Sequence, residues 1–119
     1  MRLQREKLMR WYVVDDLSAG ETARLAQALR DMEFSSGVDS LYWLPVPENL
    51  LSPVQRKHAV DCGPHALGLE LEEHSLRLEL LVRARGRLRC DCVHYAGPEL
   101  RARMIAYLDQ LMADLQISA

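Results

Sequence analysis

Between residues 65 and 94, apolar and polar residues alternate in three successive runs, and this pattern constrains the fold more than any other feature of the chain. Successive side chains of a β-strand point to opposite faces, so each run predicts a strand with one apolar face. Polar turn residues separate the runs, which predicts a three-stranded antiparallel meander. The residues that share the inner face are Leu67, Leu69 and Leu71, then Leu76, Leu78, Leu80 and Val82, then Leu88, Cys90, Cys92 and His94.

Facing leucines set the register in which these strands are predicted to pair. Residues directly opposite each other on antiparallel strands share a face, so leucine is aligned with leucine. The second hairpin then closes through residues 84–86, with Gly86 at the turn position that needs a positive φ angle. The predicted pairs are Leu71–Leu76, Glu70–Arg77, Leu69–Leu78 and His65–Val82 in the first hairpin, and Val82–Leu88 and Leu80–Cys90 in the second.

Two further strands and three helices flank the meander. Ser18 with Glu21, and Ser52 with Gln55, have the spacing of capping boxes, which start helices. The order β-α-β-short α-β-β-β-α predicts an α+β fold class, a two-layer sandwich with a mainly antiparallel sheet and helices packed mostly on one face. Direct parallel pairing of the two flanking strands and their separation by a meander strand both stay open. The strands are predicted at about 10–16 and 40–46, and the helices at about 19–33, 53–60 and 98–116.

The composition is typical of one small globular domain. The chain has 119 residues, of which 49% are hydrophobic, and a formal net charge of −2. We expect a single α+β domain at 10–117, whereas residues 1–9 are charged and unpatterned and are expected to be disordered or a non-native start. No signal peptide and no transmembrane segment is recognisable, which predicts a soluble, cytoplasmic protein. Three cysteines, an odd number, do not form a disulfide framework.

Catalytic and cofactor motifs are absent from the sequence. It contains no glycine-rich phosphate loop, no nucleophile elbow and no H-E-x-x-H zinc motif. The acidic pair Asp15 and Asp16 precedes a predicted helix, and we interpret it as support for the helix N-terminus rather than as a catalytic pair. We therefore predict no cofactor and favour a binding or regulatory role over an enzymatic one.

An arginine cluster marks the outward face of the second predicted hairpin. Residues 77–89 contain five arginines and one glutamate. Guanidinium groups donate paired hydrogen bonds to phosphates and carboxylates, which predicts a site for a polyanion or an acidic protein partner. The alternative is a solvated sheet edge, where charge prevents aggregation. The predicted binding residues are Arg77, Arg83, Arg85, Arg87 and Arg89.

The cysteines are the basis of an alternative prediction, that the chain is a metal-binding or thiol-dependent protein. In the predicted register, His65 and Cys90 lie two strand spacings apart, about 9.6 Å, which is too far for ligands of one zinc ion. We therefore interpret Cys90 and Cys92 as buried core residues and predict no metal site. His58 is expected in an exposed helical position. The alternative ligand set is Cys62, His65, Cys90 and Cys92.

The strand at 40–46 carries apolar residues on both faces. Leu41 and Trp43 lie on one face, and Tyr42 and Leu44 lie on the other. A strand that is apolar on both sides is covered on both sides in most sheets. A homodimer that buries the Leu41 and Trp43 side of the sheet is therefore a further hypothesis.

Overall fold

A six-stranded antiparallel sheet and four helices form the part of the chain that the structure, a computed structural model, describes, residues 10–117. The predicted α+β class is confirmed, while the prediction for residues 1–9 lies outside the described residues. The strands are β1 (Trp11–Val14), β2 (Leu41–Pro45), β3 (His65–Leu71), β4 (Leu76–Glu79), β5 (Leu81–Ala84) and β6 (His94–Tyr95). The helices are α1 (Ala19–Asp31), α2 (Pro53–Lys57), α3 (Ala59–Cys62) and α4 (Pro98–Asp114), with a 3-10 turn at Glu48–Leu50.

β3 is the central strand of the sheet. One edge of β3 pairs with β2, and its other edge pairs with β4 and then with β5. β1 pairs with β4, and β6 pairs with β5. β4 and β3 therefore separate β1 from β2, which decides the strand order that the sequence left open. The predicted pairs Leu71–Leu76, Glu70–Arg77 and Leu69–Leu78 are confirmed.

The predicted strand at 88–94 is wrong over most of its length. Only His94 and Tyr95 form a strand there, and Val82 pairs with His94 rather than with Leu88. His65 correspondingly pairs with Ala84 rather than with Val82. The physical reason is that the backbone amides directly after β5 form hydrogen bonds outside the sheet. The Arg85 amide donates to the Pro64 carbonyl at 2.9 Å, and the Gly86 amide donates to the Cys62 carbonyl at 2.7 Å.

Helices α1 and α4 cover one face of the sheet. Leu25 and Leu29 of α1 and Leu108 of α4 are fully buried, because they pack against the leucine face that the alternating pattern predicted. The opposite face carries partly exposed side chains, among them Trp11 and Trp43. Tyr42 and Leu44 point into the core. This asymmetry leaves one sheet face accessible for binding.

Both predicted capping boxes are confirmed. The Ser18 hydroxyl accepts the Glu21 amide at 3.1 Å, and the Glu21 carboxylate accepts the Ser18 amide at 2.9 Å. The Ser52 box starts α2, but the helix predicted at 53–60 is divided at His58 into α2 and α3. Within residues 10–117, no helix has the length and apolar character needed to cross a membrane.

Candidate metal centre

Four side chains converge beside the end of β5: His58, Cys62, Cys90 and Cys92, which we call the HisCys3 cluster. One ring nitrogen and three sulfurs all lie within 4.8 Å of one another. The Nδ1 atom of His58 lies 3.0 Å from Cys90 Sγ and 3.8 Å from Cys62 Sγ. The Sγ atoms of Cys62 and Cys90 are 3.6 Å apart. Three of the four residues belong to the alternative ligand set of the sequence, and His58 does not.

α3 supplies the first two members of the HisCys3 cluster. His58 is the N-cap of α3 and Cys62 is its last residue. Residues four positions apart lie on the same side of a helix, so a single turn brings both side chains together. The turn is closed by the Cys62 amide, which donates to the His58 carbonyl at 2.8 Å. This spacing is the sequence signal that could have identified His58.

A tight turn supplies the other two members. The Val93 amide donates to the Cys90 carbonyl at 3.0 Å, which closes the chain around residues 90–93. Gln55, which is 1% exposed, holds this turn in place. Its side-chain amide donates to the Cys92 carbonyl at 3.1 Å, and its side-chain oxygen accepts the Ser52 amide at 2.9 Å. Gln55, the glutamine of the α2 capping box, therefore also positions Cys92.

Close approach of two backbone segments brings the turn to α3. The Gly86 amide donates to the Cys62 carbonyl at 2.7 Å. A Cβ at Gly86 would lie 2.8 Å from that same oxygen, so a larger residue would displace the contact. The prediction that Gly86 needs a positive φ angle is wrong, because Gly37 is the one glycine of residues 10–117 in that region. Glycine is required at position 86 because the backbone there lies too close to the Cys62 carbonyl to leave room for a Cβ.

Three separations within the HisCys3 cluster are close to those around a tetrahedral zinc ion. With Zn–S bonds of about 2.3 Å and Zn–N bonds of about 2.0 Å, tetrahedral geometry sets sulfurs about 3.8 Å apart and nitrogen about 3.5 Å from sulfur. The observed nitrogen–sulfur separations are 3.0 and 3.8 Å, the sulfur–sulfur separation of Cys62 and Cys90 is 3.6 Å, and Cys92 Sγ lies within 4.8 Å of the other three atoms. Three thiolates and one imidazole are a typical structural zinc donor set, and they leave no open position for a substrate.

Hydrogen bonds and burial set the protonation of the thiols. Hydrogen bonds from Cys92, first from its backbone and then from its side chain, lower the pKa of Cys90 to about 6. Burial raises the pKa of Cys92 to about 12 and also raises the pKa of Cys62. Cys90 is therefore the most acidic thiol of the cluster. A metal that bound all three sulfurs would displace the protons that the thiols carry.

His65 lies outside the HisCys3 cluster. It is the first residue of β3 and is 4% exposed. Neither ring nitrogen has a hydrogen-bond partner within the described part of the chain. Burial lowers the pKa of His65, and the nearby His58 and His94 lower it further. His65 is thus a buried imidazole outside the cluster, and His58 lies with the cysteines where the alternative ligand set had His65.

The five arginines differ in their surroundings. Arg77 pairs with Glu70 at 3.8 Å, and Arg83 donates two hydrogen bonds to the carboxylate of Glu79, at 2.6 and 3.0 Å. The remaining three are exposed in the segment 85–89, which we call the arginine loop, and have no ion-pair partner among residues 10–117. The unpaired arginines are Arg85, Arg87 and Arg89.

Comparison with known proteins assigns no family to this chain. No protein-family model matches the sequence, and no match was found among curated proteins or solved structures. The chemistry of the HisCys3 cluster and of the arginine loop is therefore the basis of the function proposed below.

Proposed function

We propose that the protein binds one zinc ion through His58, Cys62, Cys90 and Cys92, and that this zinc is structural. The observation that carries the proposal is the convergence of four zinc-binding atoms within 4.8 Å. Four protein ligands complete a tetrahedral site, which is the arrangement of structural rather than catalytic zinc. A reducing compartment keeps three thiols available as ligands, so a cytoplasmic location is part of this proposal.

The structural role follows from where the ligands lie. The segment 85–93 contains no helix or strand, and two of the four ligands belong to it. Zinc would join Cys90 and Cys92 to α3 and so fix the segment at a point beyond the Gly86 contact. The metal thereby holds the arginine loop in one position on the domain proposed for residues 10–117.

Polyanion binding at the arginine loop is the second proposed function. Arg85, Arg87 and Arg89 extend from a loop that the zinc would immobilise, and unpaired guanidinium groups bind phosphate and carboxylate oxygens. A fixed loop loses less conformational entropy on binding than a mobile one. The protein is then a non-enzymatic binding module, with a polyanion as ligand and an acidic protein as the competing partner.

Metal analysis tests the first proposal directly. We expect about one zinc per chain in protein purified without a histidine tag, and cobalt substitution should give the absorption bands of a tetrahedral thiolate site. Cys90→Ser should weaken zinc binding by more than about 100-fold, because loss of a ligand exceeds the loss of an outer-shell partner. His58→Ala should weaken it as well.

The matched control is His74→Ala, which removes an exposed histidine that is not a member of the HisCys3 cluster. Its zinc affinity should equal that of the wild type. Substoichiometric zinc in the wild type after incubation with excess metal, or equal affinities in His58→Ala and His74→Ala, would contradict the proposed site.

A further inference from the structure

A groove with a volume of about 490 Å³ lies on the open face of the sheet beside the arginine loop. Strands β1 and β2 contribute aromatic and aliphatic walls, and the arginine loop contributes one end. Its lining therefore combines residues that are distant in the sequence. The lining includes Trp11, Trp43, Gly68, Glu79, Arg85 and Arg87.

Two tryptophans stand on one row of the sheet. Trp43 pairs with Gly68, and Trp11 pairs with Glu79. The register of β3 with β4 places Gly68 beside Glu79. Neighbouring strands are about 4.8 Å apart, so the Cα atoms of the two tryptophans lie about 14 Å apart across the sheet. A Cβ at Gly68 would lie 3.7 Å from the Trp43 ring, so glycine leaves the surface of the sheet beside this ring free of a side chain.

The charges of the groove leave two arginines without an anionic partner. Its carboxylates are already paired, Glu79 with Arg83 and Glu70 with Arg77. The Arg85 guanidinium lies over the Trp43 ring, 5.5 Å from its centre, as Arg77 lies over the Trp11 ring at 4.5 Å, and Arg87 has no ion pair among the described residues. The groove therefore presents an indole that is covered only by an exposed arginine side chain without an anionic partner.

We propose that this groove binds single-stranded nucleic acid, with a base that takes the place of the Arg85 guanidinium on the Trp43 ring and with phosphates bound by the displaced Arg85 and by Arg87. The inference rests on the proposed polyanion-binding function and names its ligand. Binding of single strands combines aromatic stacking platforms with positive charge along the backbone. Bases of a duplex are stacked on one another and are unavailable to an indole, and an acidic peptide carries charge without a base. A single strand supplies both groups.

Fluorescence titration tests the inference on the zinc-loaded full chain. The probes are a mixed-sequence 12-nucleotide DNA strand, the corresponding duplex and inorganic polyphosphate, each at about 50 mM salt. We expect the single strand to quench tryptophan fluorescence and to bind at least about tenfold more tightly than polyphosphate, because stacking adds to phosphate contacts. Two phosphate contacts on a single strand predict a log–log salt slope of about −1.4.

Variants assign the binding to the groove. Trp43→Leu should weaken single-strand binding by about 5- to 150-fold, the range for loss of one stacked base. Arg87→Gln should weaken binding and reduce the salt slope by about 0.7. The matched control is Arg89→Gln, which removes the same charge from the same loop at a residue outside the groove lining. It should change the affinity less than Arg87→Gln, and circular dichroism verifies that each variant is folded.

The outcomes separate the inference from the function on which it rests. Equal affinity for polyphosphate and the single strand, without quenching, would overturn the groove inference and leave polyanion binding supported. No binding of any probe below about 100 μM would overturn both. Light scattering that gives a dimer at the titration concentration, with Trp43→Leu restoring the monomer, would show that a second copy occupies the groove and would also overturn the inference.

Discussion

The Sγ atoms of Cys62 and Cys90 lie 3.6 Å apart although 28 residues separate the two cysteines in the sequence. A disulfide requires about 2.05 Å between sulfurs, whereas two sulfurs on one tetrahedral zinc lie about 3.8 Å apart. The observed separation is longer than a disulfide bond and close to that of two sulfurs on one zinc ion, and it is also the distance of a hydrogen bond from the Cys62 thiol to Cys90. It depends on α3 and the turn at 90–93 being joined through Gly86.

Zinc removal should lower the stability of the folded protein. A ligand that binds only the folded state, present at 100 times its Kd, contributes about 2.7 kcal/mol to the free energy of unfolding. Urea unfolding with excess zinc and with a chelator should therefore differ by at least about this amount. In Cys90→Ser the two curves should nearly coincide. A wild type that gives identical curves would show that zinc does not stabilise the fold.

Oxidation should distinguish the zinc-free from the zinc-loaded protein. Diamide takes two hydrogens from a thiol pair and leaves a disulfide, and we expect Cys62 and Cys90 to form it in the zinc-free chain because their sulfurs are adjacent. Bound zinc occupies both sulfurs and should protect them. Peptide mass mapping identifies the cross-linked pair. A cross-link that forms equally fast in the presence of zinc would contradict shared ligation.

Gly86→Ala should destabilise the protein by about 1 to 3 kcal/mol, the cost of an overpacked contact. The added Cβ would meet the Cys62 carbonyl at 2.8 Å and so displace the loop that carries Cys90 and Cys92. Zinc affinity should fall together with stability. The control is Gly20→Ala in α1, where the nearest side-chain atom is 3.9 Å away and alanine favours the helix, so stability should not decrease.

Acid should destabilise the zinc-free protein partly through His65. Burial lowers the pKa of His65 below its ordinary value of 6.5, so the unfolded chain binds this proton more readily than the folded one. The contribution of His65 to stability is therefore complete above pH 6.5 and is lost as pH falls through and below that value. Through this one group, the free energy of unfolding cannot change by more than about 1.4 kcal/mol per pH unit.

Urea unfolding between about pH 7.5 and 5.5 measures this effect, because the range spans the ordinary histidine pKa. The matched variant is His65→Gln, which does not titrate. Its stability should fall less steeply with acid than that of the wild type, because the substitution removes only the His65 contribution. Parallel stability profiles would mean that His65 is protonated in the folded protein as easily as in the unfolded chain.

The sequence by itself determined the local structure and the first hairpin. The Ser18 and Ser52 caps depend on residues three positions apart, and the β3–β4 register depends on leucines that alternate across a short turn. Both signals are local, because each partner lies within a few residues of the other. The α+β class followed from the order of these elements.

Only the tertiary structure decided the HisCys3 cluster and the groove. The alternation of Leu88, Cys90 and Cys92 predicted a strand, yet the backbone at Arg85 and Gly86 pairs with the α3–β3 connection instead. An alternating pattern indicates which residues can lie on one face of a sheet. It does not determine which strand they pair with, because the hydrogen-bond acceptor of each buried amide depends on the fold of the whole chain. For the same reason, the sequence placed His65 rather than His58 with the cysteines.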